Sequence, residues 1–446
     1  MDSKSLLYIV FIAIGLIVYA RKPKYLMFFW LSARAILFPL FLYIFRPHTS
    51  GNLGVYDLYY SLAAPLVYVM AMIIALTSYK TKSLELGKIM IPLIVLICFL
   101  AVQNILVGFD YDALYKSIIE VLFLVIPTLA LCSNESIRPQ RSTLIKFIVV
   151  FVIVEVFFCI LNTQGIRLYA DIQDSNVWED SLIAGTFPRY SHLTNYLTTF
   201  YLVMALSYFG LHIVSKRLFY ILTAILAVVI IMSGAKMSVI LFLFVLVSSL
   251  ILFERKNVFL LAFMGIVLYI SAVALIGKFN SSNLDQSNGI ERNVTGLVEL
   301  FTTKSSEGNT LSLSDMVLIT CYNDPILGNG MANRNWSSYD FDSYPESTLK
   351  TDARLAYMFV EYGVIGCLFF LYFFYGIFRT NFIKSELKDR KIWIIVIFYF
   401  ILFTFTETGI FDMFMLTILS SFAFSQKDDS IFTRNGPRFI DRRRLN

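Results

Sequence analysis

Apolar segments of about 20 residues, each long enough to cross a hydrocarbon core of roughly 30 Å, succeed one another along almost the whole chain. One long polar stretch, residues 278–355, interrupts them. With 446 residues, 58% of them hydrophobic and 15% charged, the chain lies outside the composition of soluble globular domains. Its mean hydropathy of +0.71 agrees. Irregular backbone cannot face lipid, so the apolar segments are expected to be helices. The expected fold is all-α: a polytopic transmembrane bundle of about 12–13 spans in which residues 1–446 form one integral membrane domain. Spans are read near 5–20, 25–45, 59–78, 89–108, 114–131, 147–162, 193–214, 218–233, 237–253, 258–277, 355–378, 392–406 and 412–425. The first is not read as a cleavable signal, because Arg21, Lys22 and Lys24 follow its apolar core instead of preceding it.

Lys and Arg are retained on the cytoplasmic side of a membrane, and they alternate here between successive loops. Arg21, Lys22, Lys24, Lys80, Lys82, Lys88, Arg138, Arg141, Lys146, Lys216, Arg217, Arg255, Lys256, Arg379, Lys384, Lys388, Arg390 and Lys391 fall on one side. The short loops of the other side carry Arg46, Arg167, Arg189 and Lys236. This places the 278–355 loop and the acidic 163–192 loop outside the cytoplasm, and the 426–446 tail, with Arg442, Arg443 and Arg444, inside it. Thirteen spans put the N-terminus outside; the hairpin around Glu407 to Asp412 is either a pair of span ends or re-entrant. The pI of about 8.9 therefore reflects cytoplasmic anchoring and not nucleic-acid binding.

The five cysteines are scattered, with only Cys321 in the large loop, so neither a disulfide framework nor a Cys/His metal site is read. The large loop holds ten acidic and six basic residues. A loop this long is expected to be partly helical, with an apolar face from Ile290, Val294, Leu297, Val298 and Phe301 and a second helix from Ser314 to Cys321. Pro325 ends that helix, and Gly328-Asn329-Gly330 reads as an ordinary turn and not a phosphate fingerprint, since no strand precedes it.

Ionisable groups near the outer ends of spans are the stronger carriers of chemistry, because a charge in a membrane needs a partner or a wet cavity. Arg189, in Gly185-Thr186-Phe187-Pro188-Arg189, precedes the seventh span. Lys236, in Ser233-Gly234-Ala235-Lys236, occupies the very short outer turn between the eighth and ninth spans; Asp352 and Arg354 stand where the large loop re-enters. Each alone reads as an interface anchor or a helix cap; at one membrane level together they read as a shared outward-facing site. Asp352, Ala356, Phe359, Gly363 and Gly366 fall on one helical face, and Arg354 and Glu361 on the opposite one, about 10 Å apart along the axis. Cations at such a site suit a lipid-linked diphosphate, whose oxygens Arg and Lys would bind as charge develops on the leaving group. A carboxylate such as Asp352 would accept the proton of an attacking sugar hydroxyl.

The Gly-Thr-Phe-Pro-Arg segment, the Ser-Gly-Ala-Lys turn, the loop sequence Asp-Pro-Ile-Leu-Gly-Asn-Gly and the re-entry from Asp352 to Gly366 together resemble the O-antigen polymerase (Wzy) and O-antigen ligase (WaaL) superfamily over residues 183–378. The resemblance implies a periplasmic site that transfers glycan from undecaprenyl diphosphate without nucleotide, metal or other cofactor. It assigns Arg189 and Lys236 to diphosphate or acceptor binding, Lys236 standing where the family often has Arg. The ligase branch has His where this chain has Asp352, which favours a polymerase and leaves His192 as an alternative base. Arg292, and less so Arg334, would replace an Arg that the family often places ahead of the Pro-x-x-Gly-x-Gly segment. The expectation is an inner-membrane glycosyltransferase that polymerises undecaprenyl-diphosphate-linked O-antigen repeat units, with a chain-length regulator of lipopolysaccharide biosynthesis as partner. The ligase, which would transfer glycan to lipid A core, is the first alternative. The second is an exporter or flippase of the lipid-linked oligosaccharide, with Arg34, Glu120 and Glu155 as a polar pathway; it gives no role to the 278–355 loop.

Overall fold

The computed structural model describes residues 3–32, 69–74, 76–77, 84–107, 111–164, 183, 185–187, 190–233, 236–254, 325–328, 354–383, 389–403 and 413–426. These are helical almost throughout, with no strand among them and one isolated bridge, Gln140 to Gln426. The helices are α1 (Ser3–Arg21), α2 (Leu26–Ser32), α3 (Leu84–Val107), α4 (Tyr111–Ser133), α5 (Arg141–Thr163), α6 (Tyr190–Ala205), α7 (Lys216–Met232), α8 (Lys236–Ser249), α9 (Arg354–Ile383), α10 (Arg390–Phe403) and α11 (Met413–Ala423). Four stretches, Ile89–Leu106, Arg141–Thr163, Met237–Glu254 and Glu361–Thr380, are long and apolar enough to cross a membrane. The expected spans at 25–45 and 59–78 are described only in part, and that at 258–277, the helices expected within the large loop, and the Glu407–Asp412 hairpin lie outside the described residues.

Burial follows the logic of a membrane bundle, with apolar faces outward and polar groups inward. On α5, Val150, Ile153, Phe157 and Ile160 recur at helical spacing on an exposed face, while Phe151, Glu155, Cys159 and Asn162 are buried on the opposite one. On α9 the exposed stripe is Val364, Leu368, Leu371 and Tyr375. Like α11 from Met415 to Ala423, α6 is buried on every side from Leu193 to Ala205, although its sequence holds Thr194, Asn195, Thr198 and Thr199. It sits against α7, α8 and α11.

Hydroxyls join these helices, because in an apolar surround a buried donor finds its acceptor within the protein. Tyr399 on α10 donates to Thr198 and shares a hydrogen bond with Thr199, each at 3.1 Å. Thr128 on α4 meets Ser420 on α11 at 2.8 Å. Stacked rings fill the space between α5 and α6: Phe151 lies on Tyr196, and Phe187 approaches Tyr196 with ring centroids 4.6 Å apart.

The end of the bundle that carries Arg138, Arg141 and Arg390 is closed by the last helix. Arg141 N–H donates to the carbonyl of Gln426, and Gln426 N–H to that of Pro139. The Arg138 guanidinium caps the end of α4 at the carbonyls of Leu131 and Cys132 and lies over the Phe424 ring. At this end α6 and α8 each widen into a π-helical turn, Leu206–Gly210 and Leu250–Glu254, and the two turns pack together.

Candidate functional site

Of the residues singled out from sequence, His192 and Lys236 stand at helix starts of the opposite end. The best-defined feature of that end is the turn at 185–187 ahead of α6. Oδ1 of Asn162 accepts the N–H of Gly185 at 2.7 Å. About two turns away on the same face of α5, Glu155 accepts both polar groups of Thr186: the backbone N–H on Oε2 at 3.0 Å and the hydroxyl on Oε1 at 2.6 Å. Glu155 and Thr186 are fully buried. Gly185 has φ +62°, and a Cβ there would collide with Oε2 of Glu155, so the glycine is needed for both its conformation and its closeness. Phe187 then packs its ring beside the stacked pair of Phe151 and Tyr196, which sets the chain entering α6.

The structure brings the first turns of α6 and α8 side by side. The hydroxyl of Ser238 donates to that of Thr194 at 2.8 Å, and both residues are buried. His192 stands two residues before Thr194 in α6, and Lys236 two before Ser238 as the first residue of α8. The two helices run parallel from this end. Their N-termini, each the positive end of a helix dipole, are thus neighbours.

A second feature surrounds Gly363. The backbone of α9 is broken there (φ 63°, ψ −170°), dividing it into an outer limb from Arg354 to Tyr362 and a longer remainder. The break accepts a visiting segment. Val364 N–H donates to the carbonyl of Pro325 at 3.0 Å and Ile365 N–H to that of Ile326 at 3.2 Å. The Glu361 carbonyl receives the Gln103 amide of α3 at 2.7 Å, and the same amide nitrogen also reaches the Leu327 carbonyl. Backbone groups freed by the break are thereby re-satisfied, as an apolar surround demands. Gly328 (φ +74°) and Gly363 approach each other so closely that a Cβ on either would strike the other's backbone nitrogen. The described turn covers 325–327, and Asn329 and Gly330 of the expected Gly-Asn-Gly turn lie outside the described residues; the stripe drawn from Asp352 through Gly363 to Gly366 does not run on one unbroken face, because Gly363 leaves the helical phase.

Lys236, His192 and Arg354 are thus placed at helix starts. Arg189, Asp352, Arg292 and Arg334 lie outside the described residues, as do Arg34 and Glu407. Lys236 and His192 share one neighbourhood, whereas Arg354 begins α9, whose packing is chiefly on α3 with a smaller contact to α11. Sequence reasoning passed over Gln103, Asn162, Thr194 and Ser238, and met Glu155 only as a member of a polar pathway. Their signal was present as polar residues on the inward faces of apolar helices. Among the described residues no group of three or more His, Cys, Asp or Glu could hold a metal ion.

No protein-family model, curated protein or solved structure matches this chain.

Proposed function

We propose that this protein is a glycosyltransferase that polymerises undecaprenyl-diphosphate-linked oligosaccharide repeat units at the periplasmic face of a bacterial inner membrane. One observation supports this most: the Ser238 to Thr194 hydrogen bond sets the N-termini of two parallel helices together. Lys236 heads one of them, and Arg189 and His192 lie at the start of the other. Two helix N-termini with the two cations Arg189 and Lys236 suit a diphosphate, and the alternation of Lys and Arg in the sequence favours that end lying outside the cytoplasm.

In this reading Arg189 and Lys236 bind the diphosphate of the donor, and Arg354, with Arg292 or Arg334, binds its substrate. The acceptor sugar hydroxyl attacks the anomeric carbon of the growing chain. A new C–O bond forms as the bond from that carbon to the diphosphate oxygen breaks, and undecaprenyl diphosphate leaves with the electron pair. Asp352, or His192 in its place, takes the hydroxyl proton. The cations stabilise the charge gathering on the leaving group, which is where transition-state stabilisation is most effective.

Purified protein should extend a purified diphosphate-linked repeat unit into a ladder, and Arg189→Ala, Lys236→Ala and Asp352→Asn variants, expressed at equal levels, should not. Normal elongation by all three would remove the site assignment. In cells, a clean deletion should leave lipid A core capped by a single repeat; wild-type ladders in that strain would remove the polymerase reading.

A further inference from the structure

We propose that Gln103 is a positioning residue for substrate binding: by clamping the 325–328 turn into the break of α9, it fixes the direction of the outer limb that begins at Arg354. The proposal rests on the polymerase reading above, in which Arg354 contacts the lipid-linked unit.

The observations on Gln103 are specific. It is buried on α3, 3% exposed, in an apolar stretch, Ile89–Leu106, whose one other strongly polar side chain is its neighbour Asn104. A long amide in that setting is costly unless its groups are used, and its nitrogen bonds two backbone carbonyls that belong to different segments: Leu327 in the visiting turn and Glu361 on the outer limb. In an unbroken helix the Glu361 carbonyl would receive the N–H of Ile365. Here that N–H goes to Ile326, so Gln103 supplies the donor that the bend takes away. The bend angle is thus held at three points: Gln103 on Glu361, Ile326 on Ile365 and Pro325 on Val364. Without the amide, Glu361 can regain its helical partner by releasing Ile326, which straightens α9 and swings the outer limb. Packing of Gly366 against Phe99 of α3 anchors the remainder of α9, so the movement would fall on the limb.

Two measurements test this. In the first, Ile326→Cys and Ile365→Cys are introduced into full-length protein whose five native cysteines are replaced by alanine, with a protease site inserted near residue 345. Oxidation in membranes should join the two cleaved halves, and adding Gln103→Ala should slow the joining roughly tenfold, the factor expected when a buried carbonyl loses its donor. Equal joining with and without the amide would overturn the clamp. In the second, the KM for the diphosphate-linked unit should rise severalfold in Gln103→Ala at matched expression and thermal midpoint, with kcat little changed. In an Arg354→Ala background Gln103→Ala should add nothing, because both act through the same contact. Gln103→Asn should fall between Gln103→Ala and wild type. Independent, multiplying effects would show a merely structural role and overturn the proposal. If wild-type protein extends no diphosphate-linked unit, the polymerase reading fails and the positioning role fails with it, while the cross-linking still reports whether Gln103 holds the turn.

Discussion

Glu155 holds Thr186 by both of its polar groups, with its two carboxyl oxygens 3.0 Å from the backbone nitrogen and 2.6 Å from the hydroxyl. A carboxyl group buried in the middle of an apolar helix is thereby satisfied by one residue from another part of the chain. Thr186→Val keeps the shape and removes the hydroxyl, leaving Oε1 without its donor. It should destabilise the protein by about 2 kcal/mol, and Thr186→Ser should be close to wild type. Thermal unfolding in detergent, followed by size-exclusion recovery, measures both. Equal midpoints for the valine and serine variants would show that the hydroxyl contributes nothing.

The Ser238 to Thr194 pair predicts a coupling of defined size. Interhelical hydroxyl bonds in membrane proteins contribute about 0.6 kcal/mol each, because the separated helices find other partners. Ser238→Ala and Thr194→Val should each cost about that much, and the double variant should cost little more than either single one. Additive losses in the cycle would mean that the two hydroxyls do not depend on each other. In the extension assay both single variants should lower activity more than stability, since the bond seats the first turn that Lys236 heads.

Gly328 and Gly363 combine left-handed backbone with contact to each other's main chain. Backbone cannot withdraw as a flexible side chain can, so Gly363→Ala and Gly328→Ala should each cost roughly 2 kcal/mol or more, combining strain and collision. The joining of cysteines at 326 and 365 should fall in both variants. Retained joining with an unchanged thermal midpoint would show that the segment does not dock at the break.

Hydropathy made the helices legible because lipid rewards only one pattern, an apolar stretch of sufficient length. Expected spans at 147–162, 218–233 and 392–406 correspond to Arg141–Thr163, Lys216–Met232 and Arg390–Phe403. The interior of the bundle was less legible. Periodicity assumes an unbroken helix, and Gly363 satisfies a small-residue stripe on paper while breaking the helix that carries it. Its partners, Gln103 and residues 325–327, lie far away in sequence, and a glycine does not announce which distant carbonyls its neighbours will meet. Topology alone puts Arg189, Lys236, Asp352 and Arg354 at one level; Arg189 and Asp352 lie outside the described residues, and of that set the structure describes the helix starts at Lys236 and Arg354. The ties that hold the first turns of α6 and α8, Thr194 with Ser238 and Asn162 with Gly185, escaped because a single polar residue in an apolar run fits many partners equally well.

His212 has φ 54°, the one left-handed non-glycine residue among those described. It follows the π-helical turn that ends α6, where Leu211 N–H bonds the Leu206 carbonyl at 3.1 Å and Ile213 N–H bonds the Ser207 carbonyl at 2.9 Å. This is the place at a helix end where glycine is ordinarily favoured, since a side chain there crowds the backbone. His212→Gly should therefore stabilise the protein by up to about 1 kcal/mol, and the β-branched His212→Val should destabilise it by at least as much. The position lies at the end of the bundle away from Lys236, so neither change should alter the KM for a diphosphate-linked unit. Because His192 is the histidine at the proposed site, His192→Ala and His212→Gly form a matched pair in the extension assay. Loss of extension in the His212 variant with a raised thermal midpoint would contradict the assignment of the active end.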